Sequence, residues 1–482
     1  MRYFARTAIA VVTCVAVWSV LIGVAPGAAA SAGDHLWSDW VYTSDVFEDE
    51  AATAVTIAPG GYPVVVGTAV GTPGGDTDIR YVSYNAATSL WRWNAVPLTW
   101  DGAAGGDDRA AGVVTDAAGN AYIAGTTTVA GGTTDIVILK VLGTDPVGPL
   151  SGDLLWARQY DGSAGEDDAA EAIATDAAGN VYITGSSVNA AGNMDVVTVK
   201  YRPDGRPAWV RLLDSPSKKL DRGLAIAVRG TAVYVAGVSR RSGSADDVVL
   251  IKYTTAGKRQ WVRYYDDPLH RSEGVTGIAC TSSSIYLCGA GKVGVVAPGD
   301  ALLLKYDATG ALKWARYAGG KAGDDAWSDV AVDNKGQVHV TGTFFRRATA
   351  DDIATSVYGA GGGVLWAAWF SSAGAGLDTG RALAVDAARR TYVCGSIWRP
   401  TGDSDMAVLC YGPSGTTTQW FSRYPDPSAY LTETNWGDDR AADIALAGAA
   451  VYVAGASTVY HDLSGGGYGG TSLDFLTLKL ER

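Results

Sequence analysis

Apolar and polar positions alternate in short runs along this chain, and the pattern is clearest over residues 154–205. Trp156 to Tyr160, Ala172 to Thr175, Val181 to Thr184 and Asp195 to Tyr201 each read as a strand. Three of these runs are rich in β-branched and aromatic residues. Gly-, Asp- and Asn-rich segments separate them and leave no room for a long helix. The same unit of about fifty residues recurs. Trp37, Trp93, Trp156, Trp209, Trp261, Trp314, Trp366 and Trp420 open eight units. An acid follows in each: Glu50, Asp108, Asp168, Asp221, Glu273, Asp325, Asp378, Asp439. Sixteen or seventeen residues later stands a glycine: Gly67, Gly125, Gly185, Gly237, Gly289, Gly342, Gly395, Gly455. Asp78, Asp135, Asp195, Asp247, Asp300, Asp352, Asp405 and Asp474 open the fourth run. Four strands at this period predict an all-β chain, an eight-bladed β-propeller of four-stranded antiparallel blades.

Residue size sets the phase of the blade. Ala172-Ile-Ala-Thr is small and suits the crowded axis as the innermost strand, as do Ala54, Gly112, Ala225, Gly277 and Ala382 in other units; Asp329 and Asp443 are exceptions. The Trp run is then outermost. The first Trp run, Trp37 to Val41, precedes any inner strand, and the last run, Asp474 to Leu480, has nothing after it. The N-terminal strand is therefore expected to close the last blade and remove its open edge. In the alternative phase the Trp strand is innermost and no blade is shared.

Residues 1–32 read as a signal peptide: Arg2 and Arg6, an apolar run Ala8 to Val24, then the small residues Ala30-Ser31-Ala32. An uncleaved membrane anchor is the alternative, since the run approaches spanning length. Residues 33–482 are expected to form a single propeller domain, secreted or at the cell surface, with no membrane contact after cleavage. Removing Arg2 and Arg6 takes the formal charge from −12 to −14. That acidity argues against nucleic acid, which demands clustered Lys and Arg. Export permits disulfides. The four mature cysteines, Cys280, Cys288, Cys394 and Cys410, allow three pairings, yet all stand where other units carry ordinary strand residues. They show no metal-ligand spacing.

His339 occupies the position held elsewhere by Tyr122, Tyr182, Tyr234, Tyr286, Tyr392 and Tyr452, so it is expected to pack rather than react. The Trp series is expected to fill wedges between blades. The repeated glycines mark a bulge or close backbone approach, and Ala-Gly-Asn at 118–120 and 178–180 mark hairpin turns.

The pattern GEDDAAEAIATDAAGNVYITG at 165–185, followed by Asp195-Val-Val-Thr-Val-Lys-Tyr, resembles the bacterial β-propeller repeat family, often described through a seven-bladed prototype. The likeness covers about residues 35–480, although eight units are counted here. It implies an exported or surface repeat protein and transfers no catalytic residue. Tyr306 to Trp314, YDATGALKW, is similar to the tryptophan-docking segment of quinoprotein dehydrogenases, and YRPDGRPAW at 201–209 is a poorer copy. That likeness would imply adjacent cysteines and a carboxylate-held calcium around a cofactor; adjacent cysteines are absent.

The candidate chemistry lies in two places. The eight repeated acids form either a carboxylate ring near the channel mouth that draws a cation, calcium among them, or a basic ligand, or a set of loop ties accepting backbone N–H groups. Repetition in every unit favours the ties, and no metal is assigned to any one residue. The eighth unit breaks the repeat. It has 18 residues between Trp420 and Asp439, against 11 between Trp156 and Asp168, and a long connection through HDLSGGGYGG. Tyr430, Glu433, Trp436, Tyr460, His461, Asp462 and Tyr468 crowd these two segments, and Trp100 with Asp101, from the lengthened stretch after Trp93, are expected to join them. Exposed aromatics with acids suit a glycan or protein surface, whereas local loop packing is the plainer use. Asp329 and Asp443 would either line the channel as a pair or bond separately to backbone. No nucleophile elbow, nucleotide loop or zinc-protease helix is present. The expectation is a monomeric, non-catalytic binding module for an extracellular glycan or protein, without a cofactor. A propeller hydrolase or lyase acting on polysaccharide, which would need opposed carboxylates in a deep groove, and a pure scaffold are the alternatives.

Overall fold

The computed structural model describes residues 35–41, 50–70, 75–84, 98–143, 153–215, 218–241, 245–268, 270–292, 299–320, 323–372, 376–400, 402–415, 418–424, 438–461 and 470–482; for 35–41, 292, 459–461 and 470–475 only the backbone course is given. Eight four-stranded antiparallel sheets are arranged as propeller blades. Blade 3 is representative. Its strands run outward from the axis as Asp168–Thr175, Val181–Val188, Met194–Tyr201 and Pro207–Leu213. Successive inner strands pack side by side around the full circle, and the inner strand of blade 8 meets that of blade 1.

Blade 8 is shared between the ends of the chain. His35–Val41 is its outer strand, beside Gly470–Glu481, Ala450–His461 and Arg440–Ala447. Trp37 pairs with Lys479, just as Trp156 pairs with Lys140 in blade 2 and Trp209 with Lys200 in blade 3. The Trp run is therefore outermost, as its bulk requires, and the alternative phase is excluded.

The inner strands are longer than the apolar pattern predicts. Asp108, Asp168, Asp221 and Glu273 are the first residues of their strands, and in the other blades the repeated acid stands just before the strand. The acids therefore stand at the start of the inner strand, whereas the run Ala172 to Thr175 read from the sequence places Asp168 four residues ahead of it. The reason is a one-residue register shift, which in blade 3 falls between Ala170 and Ala172. The shift breaks the two-residue alternation and hides the first half of the strand. It also explains the repeated glycine. A Cβ on Gly185 would lie 1.8 Å from the Ala169 carbonyl oxygen, and one on Gly342 would lie 2.0 Å from that of Ala326.

Each pair of neighbouring blades encloses its own core. Between blades 2 and 3, Tyr122, Ala124, Ile136 and Ile138 pack against Val181, Ile183, Val197 and Val199. Polar staples reinforce these cores on the lower face, where inner strands turn into second strands. Trp209 Nε1 and Lys200 Nζ both donate to the Thr255 carbonyl, at 3.1 and 2.8 Å, and Arg211 Nε donates to Gly257 O at 2.6 Å. The same trio recurs as Trp156, Lys140 and Arg158, and as Trp314, Lys305 and Arg316. Gly257 needs its left-handed φ of 84°, and a Cβ there would lie 2.7 Å from the Trp209 ring. The YDATGALKW segment is one copy of this staple turn.

His339 packs as expected. It is 1 % exposed, its Nδ1 is 2.8 Å from Thr391 Oγ1, and its Nε2 lies 3.6 Å from Asp333. In other blades the tyrosine hydroxyl plays this part, Tyr182 donating to Asp176 at 2.8 Å and Tyr392 to Asp386 at 3.3 Å. Among the described residues, Cys280, Cys288, Cys394 and Cys410 are free thiols, three of them buried. No helix among the described residues is long and apolar enough to cross a membrane.

Candidate functional site on the upper face

The upper face gathers two kinds of connection: outer strand to next inner strand, and second strand to third. The repeated acids stand here, each at most 3 % exposed. They tie loops. Asp168 Oδ2 accepts from Gly162 N at 2.5 Å, Asp221 Oδ2 from Ser215 N at 2.7 Å, and Asp325 from Gly320 N and Phe345 N, both at 2.7 Å. Asp378 accepts from Ser372 N, Ser372 Oγ and Trp398 N at 2.5 to 2.8 Å. Asp108 holds Gly102 N and Asp439 holds Thr458 N. Glu50 instead pairs with Arg80 at 2.6 Å inside blade 1. Burial is the largest cause of the upward shift of the Asp108, Asp168, Asp221, Asp325, Asp378 and Asp439 carboxyls. Hydrogen bonds pull the other way.

A second acid, unremarked in the sequence reading, stitches blade to blade. Asp107 accepts from Thr77 N at 3.1 Å, Asp167 from Thr134 N at 3.0 Å, Asp324 from Gly299 N at 2.6 Å and Asp438 from Ser404 N at 3.1 Å. The signal was present as the doublet Asp-Asp at 107–108, 167–168, 324–325 and 438–439.

Among the described residues, groups of three acids gather on this face in four places, and each could hold a divalent ion such as calcium. They are Asp76, Asp78 and Asp101; Asp135, Asp161 and Asp168; Asp195, Asp214 and Asp221; and Asp247, Asp266 and Glu273. A pocket of about 410 Å³ opens nearby between blades 4 and 6, lined by Asp246, Ser272, Glu273, Asp324, Asp325 and Thr343 among others. Glu273 is 2 % exposed, and neither carboxylate oxygen closes a hydrogen bond of sound geometry, although the Asp267 backbone N–H approaches. Burial, then Asp267, Asp247 and Asp266, push it up to about 8.

Asp329 and Asp443 bond separately to backbone. Asp329 accepts from Val330 N at 2.7 Å and from Leu383 N of blade 7 at 2.9 Å. Asp443 accepts from Ile444 N at 2.8 Å and from Val55 N of blade 1 at 2.9 Å. Burial raises both to about 6.

Of the surface candidates, Tyr430, Glu433, Trp436, Asp462 and Tyr468 lie outside the described residues. Tyr460 and His461 fall in a strand rather than a loop, paired with Thr471 and Gly470 at the end of a long hairpin in blade 8. Trp100 is the last residue of the outer strand of blade 1, Leu98–Trp100, paired with Ile79 as Tyr160 is with Ile136. It packs, half-buried, against the core between blades 1 and 2. The extra length after Trp93 therefore precedes this strand. Asp101, exposed, is the counterpart of Asp161 and joins one of the acid groups.

No protein-family profile matches the chain, and no curated protein does. Among solved structures it is similar to the β-propeller domain of the Trilobed protease from Pyrococcus furiosus, at 10 % identity over 77 % of this chain and 97 % of that one, with a TM-score of 0.43. It is similar to a polysaccharide lyase of a new family, an ulvan lyase, at 12 % identity over 89 % and 94 %, with a TM-score of 0.42. A protein of unknown function from Dyadobacter fermentans matches at 12 % identity over 93 % and 99 %, with a TM-score of 0.38. The architecture of this chain is that of an all-β, eight-bladed β-propeller.

Proposed function

We propose that this protein is a secreted propeller that binds an extracellular glycan or protein on its upper face, at blade 8. One observation carries the reading. In blade 8 the second and third strands continue to the pair His461–Gly470, three residues beyond the equivalent end at Val188–Met194 in blade 3. At the strand rise of about 3.4 Å per residue the hairpin stands roughly 10 Å further out. A rigid ring that projects one hairpin offers a partner an asymmetric surface, and such surfaces vary without disturbing the fold. In sequence, the segment joining its strands contains Asp462 and Tyr468, and the connection before the blade contains Tyr430, Glu433 and Trp436.

The test is a glycan and peptide array, read with the wild type and with a variant in which residues 459–472 are replaced by Asn-Gly between Thr458 and Leu473. Those two residues pair across the ladder, so the shortened hairpin matches its neighbours in length. Loss of a reproducible ligand, with the melting temperature moved by less than about 2 °C, supports the reading. Equal binding by both proteins removes it.

A second reading, a propeller enzyme acting on polysaccharide, draws support from Glu273. A buried carboxyl raised to about 8 and lining a pocket is protonated at neutral pH and suited to general acid work. Turnover of any polysaccharide that disappears in Glu273→Gln, with the fold intact, would favour it over the binding module.

A further inference from the structure

The eight blades are copies, so each junction between neighbours serves as a control for the others. At the junction of blades 2 and 3, Asp135 is the second residue of the third strand of blade 2, Asp161 follows its outer strand and Asp168 opens the next inner strand. At the junction of blades 3 and 4, Asp195, Asp214 and Asp221 repeat the arrangement. In each group a carboxylate oxygen from every residue lies within 4.8 Å of the others. Oxygens bound to one calcium ion at 2.3–2.6 Å cannot be more than about 5 Å apart, so the spread fits a shared ion.

Two further observations separate these groups from ordinary acidic surface. First, Asp168 Oδ1 and Asp221 Oδ1 belong to residues that are 0 % exposed, and they have no hydrogen-bond partner. The Ser187 and Ser239 hydroxyls approach without closing a bond of sound geometry. A buried carboxylate oxygen left so is costly unless something positive meets it. Second, Asp135 and Asp195, which complete the two groups, are themselves buried, at 6 % and 5 % exposed, so the acids meet inside the junction and not on open surface.

The later junctions supply their own positive charge or drop the third acid. Between blades 7 and 8, Arg399 and Arg423 pair with Asp405 at 3.2 and 3.1 Å. Between blades 6 and 7, Arg346 lies 3.6 Å from Asp352, and Ser371 stands where Asp161 would be. Between blades 5 and 6, Gly319 takes that place. Between blades 4 and 5 three acids remain, but Arg241 lies 3.7 Å from Asp247 and His270 lies 2.7 Å from Asp266.

We infer that the junctions of blades 2–3 and 3–4 each bind one divalent cation, through Asp135, Asp161 and Asp168 and through Asp195, Asp214 and Asp221. The donors are hard oxygens with no His or Cys among them, which selects calcium over zinc. The ion stands where arginine stands at the junction of blades 7 and 8. It locks an outer-strand connection to the next blade and has no part in ligand capture at blade 8.

Calcium binding to the mature chain is measured by calorimetry at pH 7.5, with thermal melts in parallel. The variants are Asp161→Asn, Asp214→Asn and the double variant. Both positions are exposed, and neither ties a loop, so the fold is retained. Each single variant is expected to lower the bound calcium by one ion per chain and the double variant by two, with the calcium-induced rise in melting temperature reduced at each step. Absence of calcium uptake by the wild type at millimolar concentration, or unchanged stoichiometry in the double variant, overturns the inference. Loss of only one ion in the double variant overturns it for the other junction, and equal affinity for magnesium overturns the choice of calcium. The array result is independent of all these outcomes.

Discussion

Blade 3 and blade 8 have the same four-stranded plan and opposite habits. Blade 3 is one continuous stretch, 168–213, whose polar residues are spent on holding neighbours: Asp168 ties a loop, and Trp209, Lys200 and Arg211 staple the next blade. Blade 8 is assembled from both ends of the chain and carries the longest hairpin among the described residues. The regular blade is stabilised locally, by contacts to its sequence neighbours. The irregular one depends on a strand distant in sequence, since Leu480 pairs with His35, 445 residues away. This repeat fold thus places its most non-local strand pairing and its longest described hairpin in the same blade, where the repeat is broken.

Three experiments break or sharpen this contrast. Removing residues 35–41 leaves the third strand of blade 8 as an open edge, with Leu476, Leu478 and Leu480, each at most 2 % exposed, along it. The expected result is a fall in melting temperature on the order of 10 °C, with association visible by size-exclusion chromatography. An unchanged melting curve and a monomeric elution would contradict the closure.

Gly257→Ala acts inside the regular part. It combines a φ of 84° with a Cβ placed 2.7 Å from the Trp209 ring, so the staple between blades 3 and 4 must shift. A loss of about 1–3 kcal/mol in denaturant unfolding is expected. A change below about 0.5 kcal/mol would mean that the turn relaxes freely.

The last effect is electrostatic and is spread over several pH units. The Glu273 carboxyl rises from 4.5 to about 8, by burial first and then by Asp267, Asp247 and Asp266, while Arg241, His270 and Arg271 are the cationic groups nearby. Between these two values the folded chain holds more protons than the unfolded chain. Stability is therefore fully present below about pH 4.5 and is lost as pH rises towards 8. Glu273→Gln should flatten that part of the curve measured by thermal melts, in the absence of divalent cations. A wild-type curve flat from pH 5 to 8, or an unchanged slope in the variant, would show that the carboxyl ionises without cost.

The blade count, the strand phase, the closure by Trp37 to Val41 and the packing role of His339 were legible in the sequence. Size, β-branching and turn residues act over a few positions, and eight copies in register average out local ambiguity. The beginnings of the inner strands were not legible, because the bulge beside Gly185 interrupts the alternation that marks a strand. Nor was the position of Trp100, which pairs with Ile79 where Tyr160 pairs with Ile136, because the lengthened stretch after Trp93 hides that register. The acid positions could be counted, but not their company. Asp135, Asp161 and Asp168 are spread over 34 residues and two blades, and only blade-to-blade packing brings their carboxylates within 4.8 Å. Local chemistry fixes which residues turn, bury or cap, because those choices are made by neighbours in the chain. Which charges must face one another, and which of them meet an arginine, is decided by contacts across blades, where separation in sequence carries no information about distance.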